Sequence, residues 1–163
     1  MTSEIDKAKF ERVKTEAESF YKSIGDVFCP YLKDKVAFNA KGLDHIKLKE
    51  YNKARSVKEQ YVRLRLLRYA PIILEESHTL QEFSEMMNFE RQKINSRWEQ
   101  RMVEVKYYGF VAIKDGLRIK IIVKEILGGK KFFWSIIPFW KTRKKLDNLR
   151  KQKILHEGDL ENQ

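Results

Sequence analysis

The chain has 163 residues and a mass of 19.6 kDa, which is enough for one domain of ordinary size. Apolar residues make up 42% and charged residues 35%, a balance that excludes a fully disordered chain and a membrane-embedded one. The longest nearly apolar run, residues 132–140, is too short to span a bilayer, so no membrane partner is expected. Cys29 is the only cysteine, which excludes an intramolecular disulfide and favours a reducing, cytoplasmic location.

The first part of the sequence has the pattern of helices. Residues 1–25 predict an N-terminal helix that ends at Gly25. Its apolar face would consist of four side chains at helical spacing: Phe10, Val13, Ala17 and Phe20. Asn39 is expected to cap a short helical turn. Ser56 and Glu59 form a capping box, which predicts a helix running to about Tyr69. We expect that helix to bury Val57, Tyr61 and Leu64, and to end or kink at Pro71.

The second part predicts strands and a charged tail. Residues 84–100 are compatible with a helix or with extended chain, and extended chain is the prediction. Residues 102–137 contain three β-rich runs separated by Asp115-Gly116 and Gly128-Gly129, the two-residue loops typical of hairpins. The predicted fold is therefore α+β, with N-terminal helices packed on a three-stranded antiparallel meander. We expect one domain over residues 26–140, followed over residues 141–163 by a basic helix and a frayed end.

Counting outward from the two loops predicts which residues of the meander share a face. One face would be a core without charges, formed by Tyr108, Phe110, Ala112, Ile119, Ile121, Val123, Phe132, Trp134 and Ile136. The other would be open and basic, carrying Tyr107, Arg118, Lys120, Lys124, Lys131 and Ser135, with a shallow depression at Gly109. Cations around an aromatic ring suit single-stranded nucleic acid, because phosphates take the charge while bases stack. A solvated outer face with lysines is the simpler alternative.

The net charge of +11 also points to a polyanion. Lys and Arg outnumber Asp and Glu by 8 to 3 in residues 101–140. The sequence has no nucleotide-binding loop, and its three histidines have no metal-ligand spacing, so neither a cofactor nor a metal site is expected. Metal-free RNA cleavage fits this inventory, since the ribose 2′-hydroxyl is the nucleophile and the protein supplies acids, bases and cations.

His45 is the candidate general base or acid, because imidazole titrates near neutrality. Gln60 and Arg63 lie three residues apart on one helical face, and Arg63 could bind two phosphate oxygens or pair with Glu59. Glu82, after Gln81, is an alternative base. A surface or capping role is the alternative for His45.

The order of these segments resembles a known family. The motifs are Gly42–Lys47, Arg55, the helix with Gln60, Arg63 and Leu67, Tyr69–Ile73, Leu80–Glu82, Tyr107–Phe110, Arg118–Val123 and Phe133–Pro138. Together they are similar to the phage-associated barnase–EndoU–colicin–RelE-like (BECR) nucleases over about residues 27–141. The resemblance implies a barnase/RelE-like fold and a metal-independent endoribonuclease. It also implies a toxin or mobile-element effector whose partners are RNA and an acidic antitoxin or immunity protein.

The resulting hypothesis assigns a role to each candidate. His45 would transfer protons, Arg63 and Lys120 would stabilise the phosphorane, and Ser135 would position a phosphate oxygen. The candidate RNA-binding residues are Lys47, Arg55, Gln60, Tyr107, Arg118, Lys124 and Lys131. Two alternatives remain open: a non-catalytic nucleic-acid-binding module that uses the same basic sheet, and an adaptor that binds a protein through apolar residues such as Phe133 and Ile137.

Overall fold

The computed structural model describes residues 6–49, 53–138, 160, 161 and 163. The helices are α1 (Lys7–Ile24), α2 (Ala40–Lys47), α3 (Val57–Leu66) and α4 (Ala70–Glu76), with a 3-10 turn over Leu67–Tyr69. The strands are β1 (Asp26–Cys29), β2 (Asp34–Ala37), β3 (Leu48–Lys49), β4 (Lys53–Ala54), β5 (Glu82–Ile94), β6 (Arg97–Lys114), β7 (Leu117–Ile126) and β8 (Lys131–Pro138). The predicted helix within residues 141–163 lies outside the described residues.

The architecture is α+β, as predicted, but the sheet has six strands instead of three. Its order is β1-β2-β8-β7-β6-β5, and β3 pairs with β4 separately. All pairs in the large sheet are antiparallel except β2 with β8. The meander β6-β7-β8 lies at the centre. β5 extends it as a full antiparallel neighbour of β6. Extended chain is thus confirmed for residues 84–94 and 97–100, while Asn95 and Ser96 form a hairpin turn that was not predicted.

The helices begin where the sequence places their caps. The Asn39 side chain accepts a hydrogen bond from the Gly42 amide at 3.2 Å, and Ser56 accepts one from the Glu59 amide at 3.2 Å. Contrary to the prediction, α3 already ends at Leu66, and Pro71 does not end it. Pro71 lies in the first turn of α4, where its missing N–H costs nothing.

Two predicted apolar faces are wrong in part. In α1 Phe10 is buried as predicted, but at the end of the helix Tyr21 is buried and Phe20 is 38% exposed. In α3 Val57 is half exposed, and Arg63 is buried with Leu64 and Leu66.

A bulge in β8 changes the predicted faces. The turn at Asp115-Gly116 has positive φ at both residues, and the predicted β6–β7 register is confirmed. β8 shifts register opposite Ile122 and Val123, so Phe133 pairs with Val123 and Lys131 with Glu125. Phe133 therefore joins the core, while Phe132 and Trp134 lie on the other face. Lys131, opposite Glu125, is on the same side of the sheet as Tyr108, so all four of these residues lie on the face opposite to the one predicted.

The main core lies between the helices and one face of the sheet, and it contains Phe110, Ile119, Ile121 and Ile136. A smaller cluster on the opposite face contains Val105, Tyr107, Ile122 and Leu160. Leu160 is fully buried, so the end of the chain is not frayed at this position. Within the described ranges, no helix is both long and apolar enough to cross a membrane.

Candidate nucleic-acid site

Four buried cations gather on the face of the sheet opposite the main core. Arg55 and Arg63 come from the segment leading into α3 and from α3 itself, and Lys120 and Lys124 come from β7. Each is less than 10% exposed. Together with His45 and Ser135 we call them the cationic cluster. Buried charges are costly unless they are paired, so their partners indicate what the cluster can do.

Close packing of α2 on β8 fixes the position of His45. A Cβ atom at Gly42 would lie 2.6 Å from the Tyr21 hydroxyl and 3.0 Å from Cδ1 of Phe133, so only glycine allows α2 to approach this closely. One turn later in the same helix, the His45 ring stacks on Trp134 with centroids 4.0 Å apart and planes at 18°.

The Nε2 atom of His45 has two neighbours that compete for it. Arg55 Nη2 lies 3.1 Å away and can only donate, whereas the main-chain oxygen of Gln163 lies 3.0 Å away and can only accept. A protonated Nε2 satisfies Gln163 and a bare Nε2 satisfies Arg55. Burial, reinforced by the charges of Arg55, Arg63 and Lys124, lowers the pKa of His45 to about 3. The imidazole is therefore neutral at physiological pH.

Arg63 joins the helical layer to the sheet. Its Nη1 donates to Ser135 Oγ at 2.6 Å, and Ser135 is fully buried. Desolvation, with a smaller contribution from Arg55, lowers the pKa of Arg63 to about 9. Arg55 is itself held by its Nε atom, which donates to the His45 carbonyl at 2.9 Å.

The two lysines of the cluster are paired with carboxylates of β5. Lys120 Nζ lies 3.1 Å from Glu82, and Lys124 Nζ lies 2.6 Å from Glu90. Desolvation lowers the pKa of each lysine, although its carboxylate partner acts in the opposite direction. Glu82 also fills the depression predicted at Gly109, where an added Cβ would lie 2.9 Å from the Glu82 Cβ.

The predicted open face is covered by three residues from the end of the sequence: Leu160, Glu161 and Gln163, here called the covering residues. Leu160 packs on Tyr107 and Ile122. The Glu161 carboxylate lies 3.4 Å from Lys124 Nζ, and its carbonyl accepts from Trp134 Nε1 at 2.9 Å.

Gln163 completes this cover. Besides contacting His45, it accepts a hydrogen bond from Lys120 through its side-chain oxygen. The covering residues therefore place oxygen atoms against both lysines and the histidine, as a phosphate-bearing ligand would.

Tyr107 is fully buried beneath this cover, and its ring faces Lys124 Nζ at 5.5 Å. Its hydroxyl is buried and has no hydrogen-bond partner among the residues the structure describes. The ring predicted to stack a base is thus closed off by Leu160 in this arrangement.

Four predicted RNA-binding residues have other neighbours. Lys47 pairs with Glu18 of α1 at 2.7 Å, and Lys131 pairs with Asp34 and Glu125. Gln60 donates to the Arg55 carbonyl at 2.8 Å, so it supports the cluster indirectly. Arg118 lines a separate cavity beside α3.

Three contributors to the site were not found from the sequence: Trp134, Glu90 and the covering residues. The bulge in β8 brings Trp134 to this face, and no local pattern marks that bulge. Glu90 reaches Lys124 only because β5 pairs with β6. The acidic residues near the end of the sequence were a visible signal, since Asp159 and Glu161 follow a basic run.

The cluster can bind an anion and move a proton. It combines a neutral imidazole, two guanidinium groups, two ammonium groups and a serine hydroxyl. Among the described residues, no three His, Cys, Asp or Glu side chains form a group that could hold a metal ion.

Comparison with known protein families, with curated proteins and with solved structures finds no match to this chain.

Proposed function

We propose that the protein is a metal-independent endoribonuclease whose active site is the cationic cluster. The observation that carries the proposal is the convergence of His45, Arg63 and Ser135 with two buried lysines beneath oxygen atoms of the chain itself. A buried site already matched to oxygen ligands suits a phosphodiester, because preorganised cations need no reorganisation as negative charge develops.

In the proposed reaction the ribose 2′-hydroxyl gives its proton to His45 Nε2 while its oxygen bonds to phosphorus. The bond to the 5′-oxygen then breaks, and the Lys120 ammonium protonates the leaving oxygen. The products are a 2′,3′-cyclic phosphate and a 5′-hydroxyl. A neutral imidazole is the form that accepts a proton. In the closed form burial makes His45 a weak base, and departure of the covering residues exposes the ring to water and raises its pKa towards the range of a general base.

The remaining members of the cluster would bind the phosphate. Arg63 and Arg55 carry planar groups that match two phosphate oxygens, and Ser135 adds a hydroxyl donor. Lys124, whose Nζ atom lies 4.0 Å from the Trp134 ring centroid, would hold the adjacent phosphate of the RNA backbone. Each such cation contributes to affinity by releasing counterions from the RNA.

The covering residues must leave before RNA can enter. Their oxygen atoms contact Lys120, Lys124 and His45, the same groups that would contact the phosphate of bound RNA. We therefore propose that the arrangement described here is the closed form. An acidic antitoxin or immunity protein would act on the same cations, consistent with a toxin or mobile-element effector.

The test uses total RNA in the presence of EDTA. The Leu160→Asp variant places a charge in the apolar contact with Tyr107 and Ile122, and should open the site. In the same Leu160→Asp background, His45→Gln removes the proposed base. His78→Ala, made in that background at an exposed histidine, is the matched control. Cleavage by the opened protein and by the His78 variant, but not by the His45 variant, supports the proposal. RNA binding without cleavage by any of them would instead support the non-catalytic binding module.

A further inference from the structure

The β5–β6 hairpin extends well beyond the rest of the sheet. β7 pairs with β6 only from Val105 onward, whereas β5 and β6 remain paired to Ile94 and Arg97 at the tip. Residues 85–106 thus form a ribbon, most of it only two strands wide. An isolated two-stranded hairpin is marginally stable in water, so a ribbon of this length gains stability when one face is covered.

One face of the ribbon carries large exposed apolar side chains. Met87, Phe89, Trp98 and Met102 are 52–62% exposed and alternate along the two strands, so they share a face. Arg91 belongs to the same face, because its guanidinium lies 5.0 Å from the Trp98 ring centroid. Exposed apolar side chains grouped in this way mark interaction surfaces.

The charges on this face differ between its two ends. Near the body of the protein Glu85 and Glu104 are accompanied by Lys106, which lies opposite Glu85, whereas the end near the tip carries only the basic Arg91 and Lys93. A hydrogen bond with Glu85 and repulsion from it raise the pKa of Glu104, so the two carboxyl groups crowd one another. Lys106 offsets only part of this repulsion, because the pKa of Glu104 remains raised, and a further cation from a partner would relieve it.

The order of side chains makes the face complementary to itself. Along β5 it reads Glu85, Met87, Phe89, Arg91 and Lys93; along β6, opposite them, it reads Lys106, Glu104, Met102, Gln100 and Trp98. Phe89 and Met102 occupy the centre. A second ribbon stacked face to face and running in the opposite direction therefore places Lys93 over Glu85 and Trp98 over Lys106. Two-fold symmetry requires this reciprocity of contacts.

From this pattern we infer that the ribbon is a homodimerisation surface whose occupant is the same ribbon of a second copy of this chain. Phe89 and Met102 meet their own counterparts across the two-fold axis. Ion pairs between Glu85 and Lys93, and cation–π contacts between Lys106 and Trp98, flank them on both sides. The interface is small, so the dimer dissociates on dilution.

The two charged positions allow a test by charge exchange. Glu85 and Lys93 are eight residues apart on one strand, about 26 Å at 3.3 Å per residue, so they cannot pair within one chain. Lys93→Glu and Glu85→Lys should each weaken dimerisation, measured by sedimentation equilibrium over a wide concentration range, about fivefold or more. The double variant Lys93→Glu/Glu85→Lys should restore it, because the pairs re-form between copies. Lys58→Glu, at an exposed position of α3, is the control for charge alone.

The experiment uses no RNA, so it is independent of the proposed nuclease activity. A wild-type chain that remains monomeric at every concentration would overturn the inference, as would a double variant no better than the single ones. Phe89→Ser, which alters the centre of the interface without changing charge, should also yield a monomer with an unchanged circular dichroism spectrum.

Discussion

Arg63 and Ser135 are 72 residues apart in sequence, and their side chains are hydrogen-bonded at 2.6 Å in the interior of the protein. The first belongs to α3 and the second to β8, so this contact joins the helical layer to the face of the sheet where His45 and the lysines gather.

Replacing Ser135 with alanine should therefore destabilise the fold and impair the site together. The substitution leaves a buried guanidinium nitrogen without its acceptor, which costs about 1–3 kcal/mol in the free energy of unfolding. Urea denaturation measures this cost. An unchanged midpoint would show that Arg63 finds another acceptor at no cost.

Tyr107→Phe should stabilise the fold, the opposite effect to that of Ser135→Ala. The buried hydroxyl of Tyr107 has no partner within the described part of the chain, so removing it relieves a desolvation penalty and leaves the ring in place. We expect the free energy of unfolding to rise by about 1 kcal/mol. A loss of stability would instead reveal a hydrogen bond to water or to another part of the chain.

Gly42→Ala should displace α2 from β8. The new Cβ would lie 2.6 Å from the Tyr21 hydroxyl, and overpacking of this kind costs about 1–3 kcal/mol. Because His45 follows in the same helix, its stacking on Trp134 should be disturbed as well. Tryptophan fluorescence and urea denaturation measure the two effects, and Asp44→Ala, at an exposed position of α2, is the control.

The depressed pKa of His45 predicts how stability depends on pH. The unfolded chain binds a proton at this residue near pH 6.5, whereas the folded chain does so only near pH 3. The stabilisation is therefore complete above pH 6.5. It is lost on acidification towards pH 3, by up to about 1.4 kcal/mol per pH unit. Subtracting the profile of His45→Gln isolates the contribution of His45, and a flat difference would contradict the burial of a neutral imidazole.

Local signals predicted much of the fold. The caps at Asn39 and Ser56, the turn at Asp115-Gly116 and the register of β6 with β7 all depend on nearby residues, and all are confirmed. The pairing of β2 with β8 joins distant segments and leaves no local trace. For the same reason the predicted sheet had three strands, whereas the observed sheet has six.

The site was predictable to the extent that it follows strand alternation. Lys120, Lys124 and Tyr107 share a face because β6 and β7 are regular, and the prediction for these residues held. The bulge in β8 reversed Phe133 and Trp134, and the loop at Gly128-Gly129 is longer than the expected two residues. The covering of this face by Leu160 depends on contacts with residues far away in sequence, which alternation cannot reveal.

The most direct measurement of the central claim is the chemistry of the cleaved ends. A labelled oligoribonucleotide incubated with Leu160→Asp in EDTA should yield 2′,3′-cyclic phosphate and 5′-hydroxyl ends, and placing a 2′-deoxynucleotide at the cleaved position should abolish the cut. Intact RNA with the opened variant, or cleavage that survives both the 2′-deoxy substitution and His45→Gln, would contradict the account.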